Sequence, residues 1–427
     1  MSARAGIVIT GTEVLTGVIS DRNGPWLAAQ LANLGVDVGH IEVVGDRPDD
    51  IARALSWLAE DGCDLIATSG GLGPTEDDLT VSVVADFHGR ELVHDPELDE
   101  RIGKILQSST RRWLGLDADA LARSRRKQAM MPAGATILEP IGTAPGFIVA
   151  PAHGPGPDIV VLPGPPRELQ PMWERALAAG ALDHAIAGRV ERERHVVRLF
   201  GLPESEIAAT LRVARDRGID IDALEITTCL RRGELEVDTR FVPSRSQIYA
   251  DLEELIRERH GERVFSLDGA TVDDIVAGLL RSQELTVAVA ESLTGGLMAA
   301  RLSNGDGASD FLLGGVVAYT EEAKVAVAGV DEAVIESSGV VSLEVAAALA
   351  QGAISTFDAD IGIGLTGEAG PKSASGRPVG TVCVSVIARD GREITHEVEL
   401  SGDRGDIRDR TCATALHALR RVLQQPA

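Results

Sequence analysis

The sequence predicts an α/β protein, and three stretches support this prediction. In the first stretch, short apolar strands alternate with helices, at 5–10, 25–34, 36–44, 49–60 and 64–68. A βαβαβ order of this kind predicts a parallel sheet with right-handed crossovers. A second alternation of strands and helices begins at Leu285. Between the two, segments that alternate with a period of two around Arg232 and Gly233 predict a hairpin within a β-α-β-β-α module.

The composition limits the class of protein. A chain of 427 residues has enough material for two or three domains. Its net charge of −24 and its 3% aromatic content disfavour binding of nucleic acid, which depends on cations and stacking rings. The four cysteines are far apart and form no CxxC pair, which disfavours structural zinc and a disulfide framework. No apolar run approaches the roughly 18 residues of a membrane span, and no signal peptide is visible, so we expect a cytoplasmic protein.

The rest of the first half contains two further helices and one further strand. The helices are predicted at 96–107 and 119–129, joined by a basic loop that contains serines, and the strand at 159–162. Residues 127–147 are rich in glycine and proline, which predicts loops over the edge of the sheet.

A glycine-rich segment, SGGLGPTEDDLT, follows the third strand at Ser69–Thr80. Glycines at the end of a strand can form a nest of backbone N–H groups that binds phosphate. The predicted phosphate-binding residues are Ser69, Gly70, Gly71, Gly73 and Thr75. Asp77 and Asp78, with Asp46 from an earlier turn, offer oxygen ligands for a hard divalent cation. The alternative is an ordinary turn followed by an acidic helix start, which the helix dipole favours by itself.

A polar elbow follows the strand predicted at Leu285–Ala290. It contains Glu291, Ser292, Thr294, Gly295 and Gly296, and a helical run comes next. The carboxyl end of a strand is where open α/β sheets bind their ligands, and the N–H groups of a helix start can face an oxyanion. The alternative is that Ser292 is an N-cap and that the glycines serve packing.

The middle and last parts of the chain complete the pattern. In the middle, a strand at 194–200 and a helix at 203–216 precede the hairpin, and an amphipathic helix at 246–260 follows it. The middle part contains no GxxG loop of the kind that clamps nucleic-acid backbone. In the last part, Thr271 and Ser342 are predicted to cap helices, and strands and a closing helix are predicted at 312–319, 360–365, 379–388, 393–400 and 406–423.

Several motifs occur together in an order that identifies a family. They are GTEVLTG, TSGGLGPTEDDLT, KQAMMPAGA, GTAPGF and LPGPPREL in the first half, and AESLTGG, VVAYTEEAKVAV, GVVSLEVA, LTGEAGP and RPVGTV in the second. Over nearly its whole length the chain resembles the competence/damage-inducible CinA family.

The resemblance implies three domains and two activities. Residues 1–180 are expected to form a three-layer α/β/α fold like that of molybdopterin-binding proteins, with a metal-dependent pyrophosphatase activity on ADP-ribose that uses Mg²⁺, Mn²⁺ or Co²⁺. Residues 181–262 are expected to form a KH-like insert. Residues 263–427 are expected to form an α/β amidase domain that converts nicotinamide mononucleotide to nicotinic acid mononucleotide and ammonia, without a cofactor. The family often forms homodimers, and its substrates are small nucleotides.

The resemblance also implies roles for individual residues. Ser292 matches the nucleophile, Lys324 its basic partner and Tyr319 a tyrosine near the site. The predicted substrate-binding residues are Glu291, Thr294, Gly295, Gly296, Thr366, Gly367 and Gly370. Three positions depart from the family pattern: Thr12 replaces an aspartate, Glu321 an asparagine and Glu368 an apolar residue. The first change affects the expected metal site, and the other two place negative charge near a pocket for a phosphorylated substrate.

Amide hydrolysis requires a nucleophile, a base and an oxyanion site. A Ser–Lys pair can supply the first two if burial or a nearby cation lowers the pKa of Lys324. The alternative for Lys324 is a surface lysine that pairs with Glu321 or Thr320. A non-catalytic nucleotide-binding protein, or an accessory of competence or DNA damage, remains the alternative function.

Overall fold

The computed structural model describes residues 2–110 and 118–426, which divide into two compact units, Met1–Arg192 and Glu193–Ala427. Unit 1 extends past the predicted boundary at residue 180 because Leu182, Ala185 and Ile186 pack in its core. Among the described helices, none is both long enough and apolar enough to cross a bilayer.

Unit 1 is built on a six-stranded sheet in the order β2-β1-β3-β8-β7-β6. The strands of unit 1 are β1 (Arg4–Thr10), β2 (Asp37–Val44), β3 (Leu65–Ser69), β4 (Leu92–His94), β5 (Met130–Pro132), β6 (Thr136–Leu138), β7 (Gly146–Val149) and β8 (Asp158–Leu162). Strands β4 and β5 pair with each other in a separate two-stranded sheet. The helices of unit 1 are α1 (Thr12–Leu15), α2 (Asn23–Asn33), α3 (Pro48–Glu60), α4 (Thr80–Phe87), α5 (Pro96–Thr110), α6 (Ala118–Gln128) and α7 (Pro166–Ala178). The basic loop predicted between α5 and α6 falls largely on residues 111–117, outside the described residues.

The first four strands of this sheet are parallel, as the βαβαβ pattern predicts. Ile7 and Ile9 pack with α2 and α7 on one face, and Val8 packs with α3 and α4 on the other. This alternation creates the two hydrophobic layers of the predicted α/β/α fold. The prediction of loops at 127–147 was wrong, because β5 pairs with β4, and β6 and β7 extend the sheet as antiparallel strands.

Unit 2 contains two sheets. The first has the antiparallel order β10-β11-β9-β12, and the second has the order β14-β13-β15-β16-β17. The strands are β9 (Glu193–Phe200), β10 (Glu225–Arg231), β11 (Glu234–Phe241), β12 (Val264–Ser266), β13 (Val287–Glu291), β14 (Leu312–Val317), β15 (Ile361–Gly367), β16 (Thr381–Ala388) and β17 (Glu393–Glu399). The helices are α8 (Glu204–Asp216), α9 (Ser246–His260), α10 (Val272–Ser282), α11 (Leu297–Leu302), α12 (Glu321–Ala326), α13 (Glu332–Ser338), α14 (Leu343–Phe357) and α15 (Arg404–Gln424).

The predicted β-α-β-β-α module corresponds to β9, α8, β10, β11 and α9, and the short strand β12 was missed. In the second sheet, β13 lies between β14 and β15 and is parallel to both. Val287 and Val289 pack with α10 and α15 on one face, whereas Ala288 and Ala290 pack with α14 on the other. Because β13 is buried on both faces, its carboxyl end is held firmly between the ends of two neighbouring strands.

Candidate active site

The elbow after β13 is fixed to the centre of the second sheet. The backbone N–H of Ser292 donates to the carbonyl of Leu365 on β15, at 2.9 Å. The chain then turns through Gly295 and Gly296, whose positive φ angles of 59° and 95° favour glycine. The N-cap of α11 is Gly296, with no side-chain cap. Ser292 is therefore not an N-cap, and its hydroxyl has a different partner.

Glu291 has a structural role at this elbow. Its carboxylate is 1% exposed and accepts hydrogen bonds from the backbone N–H groups of Gly296, Met298 and Ala299, at 3.0, 3.0 and 2.8 Å. These are N–H groups at the start of α11, which lack partners within a helix and favour a negative charge. A role of Glu291 in binding substrate stays a prediction, and the contacts of its carboxylate in the structure are with the backbone at the start of α11.

Thr294, Gly295 and Gly296 shape the turn and, among the described residues, are not part of the cavity lining. Thr294 is fully buried. The guanidinium of Arg408 on α15 donates to the carbonyls of Leu293 and Thr294, at 3.1 and 2.6 Å. These contacts fix the backbone of the elbow. In the structure Thr294, Gly295 and Gly296 therefore support the position of Ser292 and do not line the described cavity.

Lys324 reaches the elbow from the neighbouring strand. Val317, the last residue of β14, pairs with Glu291, and α12 follows with Thr320 as its cap. The Nζ of Lys324 lies 3.1 Å from the Oγ of Ser292 and 3.2 Å from the carbonyl oxygen of Ala318. Lys324 is 1% exposed. The alternative of a surface lysine paired with Glu321 or Thr320 is therefore excluded.

Burial lowers the pKa of Lys324, because removing the ammonium group from water penalises its charged form. The carboxylate of Glu321 acts in the opposite direction and raises the pKa of Lys324. The net shift is downward, so a larger fraction of the amine is neutral than for an ordinary lysine. A neutral amine 3.1 Å from a hydroxyl can accept its proton.

The pair opens onto a cavity of about 280 Å³. Its lining includes, besides Ser292 and Lys324, these residues: Leu293, Tyr319, Glu321, Thr366, Gly367, Glu368, Gly370, Lys372, Ala374, Ser375 and Arg404. Tyr319 is 54% exposed, and its hydroxyl accepts a hydrogen bond from Arg404, at 2.6 Å. The hydroxyl of Thr366 donates to the carbonyl of Val340, at 2.8 Å. The predicted residues Tyr319, Thr366, Gly367 and Gly370 thus lie around the same cavity as the Ser–Lys pair.

Two cations of this lining were missed by the sequence reasoning. Lys372 follows the TGEAGP turn, and Arg404 begins the closing helix α15. A basic residue directly after a predicted ligand-facing turn was the available signal for Lys372.

Glu368 does not present a free carboxylate to the cavity. The backbone N–H groups of Ala374 and Ser375 donate to it, at 3.1 and 2.6 Å. Burial alone would raise the pKa of Glu368, but these bonds and that from the Ser375 hydroxyl outweigh it and hold the pKa below its usual value. The expected repulsion of a phosphorylated substrate by Glu368 is therefore countered by the dipoles of these N–H groups.

In unit 1, the glycine-rich segment packs closely against its own surroundings. The Oγ of Ser69 is buried and accepts a hydrogen bond from Asn23, at 2.9 Å. Gly70 and Gly71 have φ angles of 110° and 66°, and a Cβ on Gly71 would lie 2.0 Å from the Oγ1 of Thr80. A cavity of about 250 Å³ lies beside the segment, lined by Gly71, Gly73, Asp78, Lys127 and mainly apolar side chains such as Leu72 and Met131.

The predicted metal ligands are not brought together. The carboxylate of Asp46 accepts hydrogen bonds from the N–H and hydroxyl of Thr12, at 2.8 and 2.9 Å. The carboxylate of Asp78 accepts from the N–H and hydroxyl of Thr75, and Asp77 is exposed. Within residues 2–110 and 118–426, no group of three His, Cys, Asp or Glu side chains is arranged to hold a metal ion. A divalent cation at Asp46, Asp77 and Asp78 stays a prediction that this arrangement of side chains does not support.

Two family models match the chain. Residues 269–423 match the CinA C-terminal domain, and residues 6–184 match a family described as "Probable molybdopterin binding domain". The CinA-like protein of Mycolicibacterium vanbaalenii is 54% identical over 424 residues, which is 99% of each chain. The chain belongs to the CinA family.

A second relative agrees with this membership. The CinA-like protein of Mycobacterium tuberculosis is 52% identical over 428 residues, covering 99% of this chain and 98% of the relative. The solved competence/damage inducible protein CihA of Agrobacterium tumefaciens is 33% identical and covers 38% of this chain and 100% of its own, with a TM-score of 0.35. Membership of the CinA family supports an enzyme with a role related to pyridine nucleotides in general terms. The relatives, named only CinA-like proteins, do not specify the reaction.

Proposed function

We propose that the C-terminal half of this CinA protein is an amidohydrolase that converts nicotinamide mononucleotide and water to nicotinic acid mononucleotide and ammonia. The observation that supports this proposal is the 3.1 Å contact between the buried Nζ of Lys324 and the Oγ of Ser292 at the wall of a cavity. A nucleophile within hydrogen-bond reach of a base is the arrangement that acyl transfer requires.

In the first half of the reaction, the Oγ of Ser292 attacks the carboxamide carbon, and its proton passes to the neutral Nζ of Lys324. The C–N bond of the tetrahedral intermediate then breaks. The leaving nitrogen takes the proton from Lys324 and departs as ammonia, which leaves an ester on Ser292. Lys324 thus acts first as a general base and then as a general acid, because the proton that it takes from Ser292 is the one that the leaving nitrogen needs.

In the second half, water attacks the ester carbon and gives a proton to Lys324. The C–O bond to Ser292 breaks, the Oγ recovers the proton, and the carboxylic acid product ionises. Since the carbonyl of Ala318 lies 3.2 Å from Nζ, it orients the amine through both halves of the reaction.

The oxyanion of each intermediate needs a hydrogen-bond donor. The backbone N–H of Ser292 is already used, because it donates to Leu365. The next backbone amide of the elbow belongs to Leu293, which lines the cavity and has its carbonyl held by Arg408. We therefore assign the oxyanion contact to the N–H of Leu293.

For unit 1, the cavity beside the glycine-rich segment favours a nucleotide site, because its apolar side chains can cover a ring and the lining residues Gly71 and Gly73 can let a phosphate approach the backbone. Cleavage of ADP-ribose or a related dinucleotide is the activity that the family resemblance suggests for this site. The acids Asp46, Asp77 and Asp78 are not assigned a metal in this proposal, because their arrangement does not fit one.

One experiment tests both assignments. The purified chain is given nicotinamide mononucleotide and ADP-ribose separately, with Mg²⁺, Mn²⁺ or Co²⁺ or with a chelator, and ammonia and AMP are followed. We expect ammonia from the mononucleotide in the presence of chelator. The absence of ammonia under all conditions would refute the amidase, and the absence of AMP would refute the pyrophosphatase.

A further inference from the structure

One wall of the active-site cavity is a loop between β15 and β16. Lys372, Ala374 and Ser375 from this loop line the same cavity as Ser292 and Lys324. Lys372 is exposed at the mouth, so its ammonium group can meet a ligand without the cost of burial. The position of this cation depends on what holds the loop.

The side chain of Glu368 holds the loop from its base. Glu368 is 6% exposed, and its carboxylate accepts from the backbone N–H groups of Ala374 and Ser375. Its own backbone is fixed to the start of β16, since its N–H donates to Thr381 at 2.9 Å and its carbonyl accepts from Gly380 at 2.8 Å. A buried carboxylate with charge-assisted bonds to successive N–H groups imposes one loop conformation.

A second cation lies at the same mouth. The guanidinium of Arg404 donates to the carbonyl of Gly370, at 2.7 Å, and to the hydroxyl of Tyr319, at 2.6 Å. Both of these partners are neutral, so they orient Arg404 without cancelling its charge. The facing acid is Glu321, whereas the charge of Glu368 is directed at the loop backbone.

We propose that Glu368 is a positioning residue that fixes the 372–377 loop, so that Lys372 and Arg404 form an anion subsite for the phosphate of the substrate. The inference rests on the proposed amidase function and deepens it. It makes the loop the element that selects a phosphorylated amide over the same amide without phosphate. Glu368 acts through Lys372 and does not itself contact the substrate.

The test measures binding, so that it does not depend on turnover. In the full-length chain with Ser292→Ala, calorimetry compares nicotinamide mononucleotide with nicotinamide riboside, which differ by the phosphate alone. We expect the mononucleotide to bind more tightly. Lys372→Gln should reduce the ratio of the two affinities about twofold to fivefold, which is what an exposed ion pair supplies. Lys372→Arg should restore most of the ratio, and Lys104→Gln, at an exposed lysine of unit 1 that is not in the described lining of the cavity, should leave it unchanged.

Glu368→Ala should lower the same ratio although Lys372 is intact, and Glu368→Gln, which retains one acceptor oxygen, should give an intermediate value. The double variant Glu368→Ala/Lys372→Gln should have the same affinity ratio as Lys372→Gln alone, because both changes remove the same contact between Lys372 and the phosphate. Thermal unfolding verifies that each variant is folded, and Glu368→Gln carries the test if Glu368→Ala is not.

Equal ratios in Lys372→Gln and the unchanged chain, or fully additive effects in the double variant, would overturn the anion subsite. The amidase assignment fails separately, if the chain with Ser292 intact releases no ammonia while the phosphate-dependent binding is present.

Discussion

Two glycine-containing elbows, one in each unit, invite comparison. One begins at Ser69, the last residue of β3, and the other begins at Ser292, directly after β13. Both come after a strand that is buried along its whole length and parallel to its neighbours. From the sequence both are candidate sites, yet in the structure their polar side chains have different kinds of hydrogen-bond partner.

The difference lies in where the hydrogen-bond partners come from. In unit 1, Asp78 accepts from Thr75, three residues away in the same segment. In unit 2, Ser292 meets Lys324, which is supplied by the adjacent strand end. Polar residues in one turn commonly satisfy their own backbone, because the partner is always within reach. A buried amine held at a hydroxyl by separate elements has no such local explanation, which favours a chemical role.

Ser292→Ala should have the largest effect, and it tests most directly whether the two elbows differ in role. We expect amidase activity, measured as ammonia from nicotinamide mononucleotide, to fall by about 10⁴-fold, because the acyl-enzyme cannot form. The control is Ser303→Ala. Ser303 is an exposed serine at the end of α11 whose hydroxyl donates to Ala300, and its loss should leave the rate unchanged. Equal rates in the two variants would mean that this elbow, like that of unit 1, is structural.

Lys324→Met should reduce turnover by about 10³-fold without destabilising the fold. The thioether retains the volume of the side chain and removes a buried amine, a change that is usually neutral or stabilising. Unfolding by heat and by urea, measured beside the ammonia assay, separates the two effects. A variant that loses activity and stability together would assign Lys324 to the core rather than to the reaction.

Much of the fold follows from local patterns, and the exceptions have a common cause. Helix α9 occupies the predicted residues 246–260, and the caps Thr271 and Ser342 are formed by their side chains. The strands β5, β6 and β7 were missed because they are three or four residues long. A strand this short has too little alternation to be recognised, and its stability comes from distant partners.

The candidate site divides in the same way. Ser292 and Lys324 could be predicted because each follows a recognisable strand and because the family motif supplied the pairing. Glu291 and Glu368 could not be assigned, because the N–H groups that they accept from belong to a helix start and a loop whose positions only the folded chain defines. A carboxylate beside a site looks the same in sequence whether it faces a ligand or the backbone.

Asp78→Ala tests the other side of the comparison. We expect the free energy of unfolding of the chain to fall by about 1 kcal/mol, since the N–H and hydroxyl of Thr75 lose their acceptor. The affinity for Mn²⁺, measured by calorimetry, should be the same as in the unchanged chain. Glu76→Ala, at an exposed neighbour in the same segment, is the control and should alter neither quantity. Loss of Mn²⁺ binding in Asp78→Ala would show that Asp78 is a metal ligand, and both elbows would then carry a functional site.

The smallest expected effect concerns the charge beside the Ser–Lys pair. The carboxylate of Glu321 raises the pKa of Lys324, against the larger lowering by burial. Glu321→Gln removes the opposing influence, so the pKa of Lys324 should fall further and a larger fraction of the amine should be neutral at a given pH. The rising limb of kcat/KM against pH should therefore move toward lower pH.

Glu322→Gln is the matched control for this shift, because Glu322 also stands in the first turn of α12 and its charge does not act on Lys324. Glu322→Gln should leave the rising limb of kcat/KM in place, although it removes one negative charge from the first turn of α12 just as Glu321→Gln does. If both variants shift the limb by the same amount, the field of the helix start sets the pKa of Lys324. If neither does, the limb belongs to another group, and the amine is not the base.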